Sequence, residues 1–387
     1  YVIISVGVAA WGRKKCRAAI RQAHRLNPGA RIAVIGCFPE LKPDDLAHME
    51  GVDLVLGHSA KFNLLEELEQ MENGGSCTAH SGNVDQFIPA YSFGDRTRSF
   101  LKIQDGCDYF CSYCTIPMAR GRSRSDTISN VVSNAREIAG RGIREIVLTG
   151  VNIGDYGRRN GDNLLQLLEK LDNLKEVPRF RISSIEPDLL TDDIIRLVAS
   201  SERFMPHFHI PLQSGCDQTL RAMHRKYTTS LYSSRVERIR SLMPYACIAA
   251  DVIAGFPGET DIHFSETLKF VEKLDISYLH VFTYSKRENT LAARSAEPVN
   301  DLVKKQRSDQ LHHLSEIKKK KFYLANQGRI VSVLFESSDN DGIMHGFSGN
   351  YIKVGTPYNE DLANTIVPLR LEYLAPDGTY HCEKPTI

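Results

Sequence analysis

Residues 105–125 read DGCDYFCSYCTIPMARGRSRS. Cys107, Cys111 and Cys114 stand at C-x3-C-x2-C spacing, just after an apolar strand pattern at 100–104. Three thiolates so close together on one loop can surround a single metal centre, and soft sulfur donors suit zinc or an iron–sulfur cluster. A structural zinc site normally closes with four ligands, whereas three leave one iron of a four-iron cluster open. Zinc binding and incidental clustering of thiols stand as the competing readings.

Outward from this loop, apolar strands recur near 100–104, 144–149, 179–185, 207–212, 247–255 and 278–283. Helical patterns such as Leu164–Leu171 and Ile194–Val198 separate them. Alternating β and α elements predict a parallel sheet, here a partial (β/α)6 barrel spanning 96–326 with its closing helix at 301–326. Four further motifs follow strands: TGVNIGDYG (Thr149–Gly157), SSIEP (Ser183–Pro187), HIPLQSG (His209–Gly215) and DVIAGFPGET (Asp251–Thr260). Barrels of this kind place ligand chemistry at the C-terminal ends of their strands.

The flanks differ in kind. Residues 1–70 alternate strand and helix: Val2–Ile4, a helix carrying Cys16, Ala19, Ile20, Ala23 and Leu26, then RIAVIGC (Arg31–Cys37) and DLVLG (Asp53–Gly57). That reads as a small open α/β domain. Residues 71–95 are Gly/Ser/Asn-rich and read as a linker. After Gly328 short strands with Gly and Pro turns predict a small β barrel over 327–387. The 387 residues are 42% hydrophobic and 25% charged, which excludes collagen, coiled coil and wholesale disorder. No apolar run reaches the length of a membrane span, the chain opens on a strand rather than a leader, and nine cysteines in a long chain suit a reducing cytoplasm. With a net charge of +1, a nucleic-acid partner needs local basic patches. Residues 1–39 hold seven Lys/Arg and no acid, and 304–321 hold seven against two.

The C-x3-C-x2-C loop after a first barrel strand resembles the radical S-adenosylmethionine signature. The domain order, with an N-terminal α/β domain and a C-terminal TRAM-like module, is similar to the methylthiotransferases of that family. DGCDYFCSYCTIPMARGRSRS and KKCRAAIRQAHRLNPGARIAVIGC most resemble the branch acting on threonylcarbamoyl-adenosine next to the tRNA anticodon, the MtaB type. The resemblance implies that Cys107, Cys111 and Cys114 bind a [4Fe-4S] cluster whose open iron takes S-adenosylmethionine. It further implies that Tyr113, Ser184, Glu186 and Gln213 contact that cofactor. An external one-electron reductant and a monomeric, cytoplasmic enzyme are expected. Arg120, Arg122, Arg124, Lys318 and Lys319 are the cations expected on the anticodon stem-loop. The family's second, auxiliary cluster needs three cysteines; Cys37 matches one, but Val6 occupies another ligand position. Valine cannot coordinate iron, so this cluster is expected to form poorly or not at all. The alternatives are action on isopentenyl-adenosine tRNA or a ribosomal-protein aspartate, or an RNA-binding one-cluster homologue without sulfur transfer.

Overall fold

The parallel register of three strands aligns Arg98, Glu145 and Arg179 in one row, and this row organises the larger part of the molecule. The computed structural model describes residues 1–5, 10–72, 79–80, 86–92 and 97–382; Val6 and Cys77 lie outside them. The chain divides into two units. The first comprises Tyr1–Phe87, Asp105–Arg124 and Ser285–Ala296, and the second Ile88–Gln104, Ser125–Tyr284 and Glu297–Ile387.

In the first unit β1 (Val2–Ser5), β2 (Ala33–Gly36), β3 (Leu54–Leu56) and β4 (Ala79–His80) form a parallel sheet in that order. β2 and β3 are buried throughout, because helices cover both faces. Helix Ala10–Leu26 packs Cys16 and Ile20, one turn apart, against Ile32, Val34, Phe38 and Val55. On the other face Ile35 and Leu56 meet Leu64 and Leu68 of helix Leu64–Glu72. The stretch read as a linker contains β4 and also β5 (Ala90–Tyr91). Two-residue strands are too short to leave an alternation in the sequence.

The second unit carries the strands of the expected partial barrel together with the C-terminal sheet. β6 (Arg98–Lys102), β7 (Glu145–Thr149) and β8 (Arg179–Ile182) pair in parallel, with β5 antiparallel on the β6 edge. β9 (His207–His209), β10 (Cys247–Ala254) and β11 (Tyr278–Thr283) form the second parallel set. Single bridges Phe180–Phe204 and Ser184–His209 connect the two sets. Helices return outside the strands, and polar caps start them. Thr127, Thr191 and Thr228 accept from backbone N–H groups, and Asn163 with Gln166 and Thr260 with His263 form reciprocal capping boxes. The apolar core between strands and helices includes Leu101, Ile146, Phe180, Ile195, Tyr232 and Ile248.

Inside the barrel the row is charged. Glu145 is 2% exposed and accepts from Arg181 at 3.3 and 3.1 Å, with Arg98 and Arg179 at 3.9 and 4.0 Å. Burial opposes its charge, but the field of Arg181 and then of Arg98 and Arg179 holds the carboxyl below its usual value. The guanidiniums also reach the C-terminal sheet of β12 (Ile330–Asn340), β13 (Ile343–Ser348), β14 (Lys353–Pro357), β15 (Ile366–Arg370), β16 (Tyr373–Leu374) and β17 (Tyr380–His381), ordered β15-β12-β13-β14-β17-β16. Arg179 donates to the carbonyls of Ser332 and Phe347 at 2.7 and 3.2 Å, Arg181 to that of Gly349 at 3.1 Å, and Arg98 to Glu336 at 2.9 Å. This sheet curls into a half-barrel over Val333, Phe335, Met344, Val354 and Tyr380, closed by Phe322 and Tyr323 of helix Asp301–Ala325.

Removing one partner from a buried charge network leaves the others uncompensated. Glu145→Gln is therefore expected to lower stability by about 3–5 kcal/mol, read as a drop in thermal midpoint. A depressed carboxyl contributes stability above its ordinary pKa of 4.5 that is lost as pH falls through the depressed value. The variant should accordingly lose part of the wild type's acid-side dependence. An unchanged midpoint would show that the arginines are satisfied without Glu145.

Candidate active site

The cysteine loop, in the first unit, is closed by its own backbone. Cys107 N–H donates to the Gly121 carbonyl at 3.1 Å, and Gly106 sits at φ +70° with a Cβ position 2.0 Å from the Arg122 carbonyl oxygen. No side chain fits there, so the loop crosses itself only with glycine at 106. Cys111 is buried and Cys107 and Cys114 are half-buried. The Tyr109 N–H points at the Cys107 sulfur at 3.3 Å and the Ile116 N–H at the Cys114 sulfur at 3.4 Å. Such donors favour the thiolate, the form that ligates metal. Tyr113 is half-buried beside Cys114, while Phe110 projects to 66% exposure.

Behind the loop Asp105 gathers three basic groups. Its carboxylate meets His58 Nε2 at 3.1 Å, Arg120 at 3.4 Å and Arg124 at 3.3 Å. Burial opposes the charge, but the His58 bond and the two guanidiniums hold the carboxyl far below its usual range. Arg120 Nε also donates to the Cys37 sulfur at 3.4 Å. Burial raises a thiol, but here hydrogen bonds from His58 and Arg120 and the Arg120 charge outweigh it and lower Cys37. Burial would likewise lower His58, yet its bonds to Asp105 and Cys37 raise it. Cys37 begins a short helix directly after Gly36, whose φ of +118° and Cβ position 2.5 Å from the Ser5 carbonyl exclude any other residue.

In the second unit, Glu186 pairs with Arg225, whose Nε donates to the Tyr227 hydroxyl at 3.0 Å. That hydroxyl donates to the carbonyls of Pro211 and Leu212 at 2.8 and 2.9 Å, tying SSIEP to HIPLQSG. Burial pushes the Glu186 carboxyl up to about 7, with Asp188 and Asp251 adding to it against Arg225. Ser184 bridges to His209, and Gln213 is 8% exposed with φ +63°. A left-handed non-glycine residue held between the strands costs about 1–3 kcal/mol. Its N–H donates to the Asp251 carbonyl at 2.7 Å and its carbonyl accepts from Ile253 at 2.9 Å. The GFPGE turn is pinned by Glu259, which accepts from Gly255 N–H at 2.8 Å and from Arg307 at 2.7 Å.

Residues 101–271 match the Radical SAM superfamily. The chain is 36% identical over 382 residues to the threonylcarbamoyladenosine tRNA methylthiotransferase MtaB of Bacillus subtilis, covering 96% of this chain and 85% of that protein. The chain belongs to the radical S-adenosylmethionine methylthiotransferases. It is also 34% identical over 329 residues to the tRNA-2-methylthio-N(6)-dimethylallyladenosine synthase of Fusobacterium nucleatum, covering 82% of this chain and 75% of that one. Its fold resembles that of the radical S-adenosylmethionine methyltransferase TsrM from Kitasatospora setae, with a TM-score of 0.60 at 14% identity over 88% of this chain and 68% of that one. Among the described residues of this methylthiotransferase no helix is long and apolar enough to cross a membrane.

The superfamily implies a four-iron cluster and S-adenosylmethionine, and the donors present fit the cluster: three thiols on one glycine-closed loop, two of them facing backbone N–H groups. The expected RNA cations separate into two classes. Arg122 is exposed, Arg120 is partly exposed, and Lys319 is half-buried. Arg124 and Lys318 are corrections, since neither is a free surface cation. Arg124 is buried, bonding to Asp105 and to the carbonyls of Gln86, Arg120 and Arg122. Lys318 is buried, with its ammonium on the carbonyls of Glu272 and Leu274 at 3.1 and 2.7 Å, and burial lowers it to about 8. Sequence reading missed His58, Arg225 and Arg307. The Asp105-Gly106 pair ahead of the first cysteine was the one available signal for the network behind the loop.

Asp105→Asn removes the charge that Arg124 and His58 are buried against. A loss of about 3–5 kcal/mol is expected, measured as a lower thermal midpoint. Fewer irons should be retained after anaerobic reconstitution, because the loop loses its anchor. Full iron retention at a wild-type midpoint would show that the loop holds itself.

Proposed function

We propose that this methylthiotransferase converts threonylcarbamoyl-adenosine next to the tRNA anticodon to its 2-methylthio derivative. The single observation carrying this reading is the identity to the Bacillus subtilis enzyme along nearly the whole chain, through both flanks as well as the cysteine loop. The likeness to the dimethylallyladenosine synthase supports isopentenyl-adenosine tRNA as the second reading. In this proposal residues 1–70 form the auxiliary domain, 96–326 the radical barrel and 327–387 the RNA-anchoring module. It works as a cytoplasmic monomer served by an external reductant.

Cys107, Cys111 and Cys114 would hold the four-iron cluster, which together with S-adenosylmethionine supplies the electron and the reactive carbon for hydrogen abstraction. Tyr113, Ser184, Glu186 and Gln213 are the residues proposed to bind and orient the cofactor. Gln213 is presented by its left-handed backbone, and Glu186 is oriented by Arg225. Cys37 is the proposed remnant of the auxiliary site. With Val6 at a ligand position, one cluster rather than two is expected.

Incubating the anaerobically reconstituted protein with threonylcarbamoyl-modified tRNA, S-adenosylmethionine and a reductant should release 5′-deoxyadenosine. The methylthio nucleoside should be weak by mass spectrometry while Val6 replaces a ligand of the sulfur-donating cluster, and should rise on Val6→Cys. Cys111→Ala should abolish both the product and 5′-deoxyadenosine release. Iron analysis should give about four irons per chain. Product from isopentenyl-adenosine tRNA alone would move the assignment to the second reading. Persistent 5′-deoxyadenosine from Cys111→Ala would sink the cluster assignment.

Arg122 is the expected phosphate contact. Arg122→Ala should weaken tRNA binding and reduce the slope of log affinity against log salt by about 1. An unchanged slope would make Arg122 an ordinary solvated side chain.

A further inference from the structure

The inner face of β9, β10 and β11 carries a cluster that the proposed chemistry does not use. Asp251 and His280 are direct partners in the parallel register, so their side chains leave the same face of the sheet. His209 pairs with Ala249, two residues before Asp251 on that face. His209 Nε2 lies 2.7 Å from Asp251 Oδ1, and the His209 and His280 ring centroids are 5.1 Å apart. One ligand atom from each of the three residues lies within 4.8 Å of the others, the one such trio found among the described residues.

We infer that His209, Asp251 and His280 bind a single divalent transition-metal ion of the zinc or ferrous class, leaving at least one coordination position open. Two imidazoles and a carboxylate suit such ions, and they differ in kind from the sulfur donors of the cysteine loop. Metal–ligand bonds of ~2.0–2.1 Å place tetrahedral ligand atoms about 3.3 Å apart. His209 and Asp251 are hydrogen-bonded at 2.7 Å, so a shared ion would replace that bond and part the two atoms slightly, while the exposed His280 would turn its ring to complete the set. Arg181, whose charge acts on the neighbouring His207, is bonded to Glu145.

An entry path also exists. His280 lines a cavity of about 630 Å³ together with Tyr278, Lys319, Tyr323 and Lys353. Lys319 and Lys353 stand against Glu316 and Asp377 in that lining, so it is charge-balanced and the open position takes a water or another oxygen donor. The site stands independently of which RNA or protein the enzyme modifies, because the test below uses neither.

The test is cobalt(II) titration of the full chain after chelation under anaerobic conditions. Cobalt on thiolates gives an intense near-ultraviolet sulfur-to-metal band, whereas cobalt on imidazole and carboxylate gives only visible d–d bands. Besides the thiolate-bound cobalt that gives the sulfur band, the wild type should bind one further equivalent that adds d–d bands and no sulfur band. His280→Ala and Asp251→Asn should each lose that equivalent and keep the sulfur band. Replacing Cys107, Cys111 and Cys114 together by Ala should remove the sulfur band and keep the equivalent. His280 is exposed, so its variant should match the wild type by circular dichroism. Equal cobalt uptake by wild type and a folded His280→Ala, or loss of the equivalent in the cysteine variant, would overturn the proposal.

Discussion

Glu145 draws Arg98, Arg179 and Arg181 together at the start of three barrel strands, and one carboxylate cannot neutralise three guanidiniums. The remaining donors must find oxygen elsewhere, because a buried unsatisfied donor costs about 1–3 kcal/mol and a charged one more. The C-terminal sheet provides the carbonyls of Ser332, Phe347 and Gly349 and the carboxylate of Glu336. The half-barrel is thus part of the barrel's electrostatics as well as a neighbour in sequence. Cutting the chain near residue 325 would expose Phe322 and Tyr323 and strip these acceptors from the arginines. The β module and the barrel are therefore one folding problem.

The first unit repeats the device at smaller scale. Asp105 stands against His58, Arg120 and Arg124, with the Cys37 thiol as a second acceptor for Arg120. Here the surplus positive charge acts on sulfur, and it holds Cys37 towards its thiolate form. A thiolate so arranged suits metal ligation, yet the same guanidinium occupies the sulfur in this arrangement.

What the sequence shows and hides follows from the range of each interaction. The three thiols, the strand starts and the leucine spacing of 164–171 are local patterns, and the structure reproduces the strands they imply. The cap residues are local too. The partners that decide each charge are distant: 36 residues separate Glu145 from Arg181, 83 separate Cys37 from Arg120, and 238 separate Arg98 from Glu336. Arginines spaced by two in a strand, as at 179 and 181, look like a solvated face unless the acid on the neighbouring strand is known. The run Lys318–Lys321 looks uniformly exposed, yet helical spacing turns Lys318 inward onto the carbonyls of Glu272 and Leu274. Asp251 and His280 are invisible as a pair because only the register of β10 and β11 brings them together.

The same accounting bears on RNA binding. Five cations were candidates for phosphate contact, but Arg124 and Lys318 are consumed inside the fold. Arg120 divides its donors between Asp105 and Cys37, Arg122 is largely exposed but faces Asp108 at 3.4 Å, and Lys319 lies over the Tyr323 ring. At about 0.7–0.9 per contact, three cations outside the core support a salt slope of roughly 2–3 rather than the 3.5–4.5 that five contacts would give. Affinity for a tRNA must then draw on more than these cations. Exposed Phe110, between Cys107 and Cys111, and exposed Met118 place apolar surface at the cysteine loop itself, a contact that charge alone would not require.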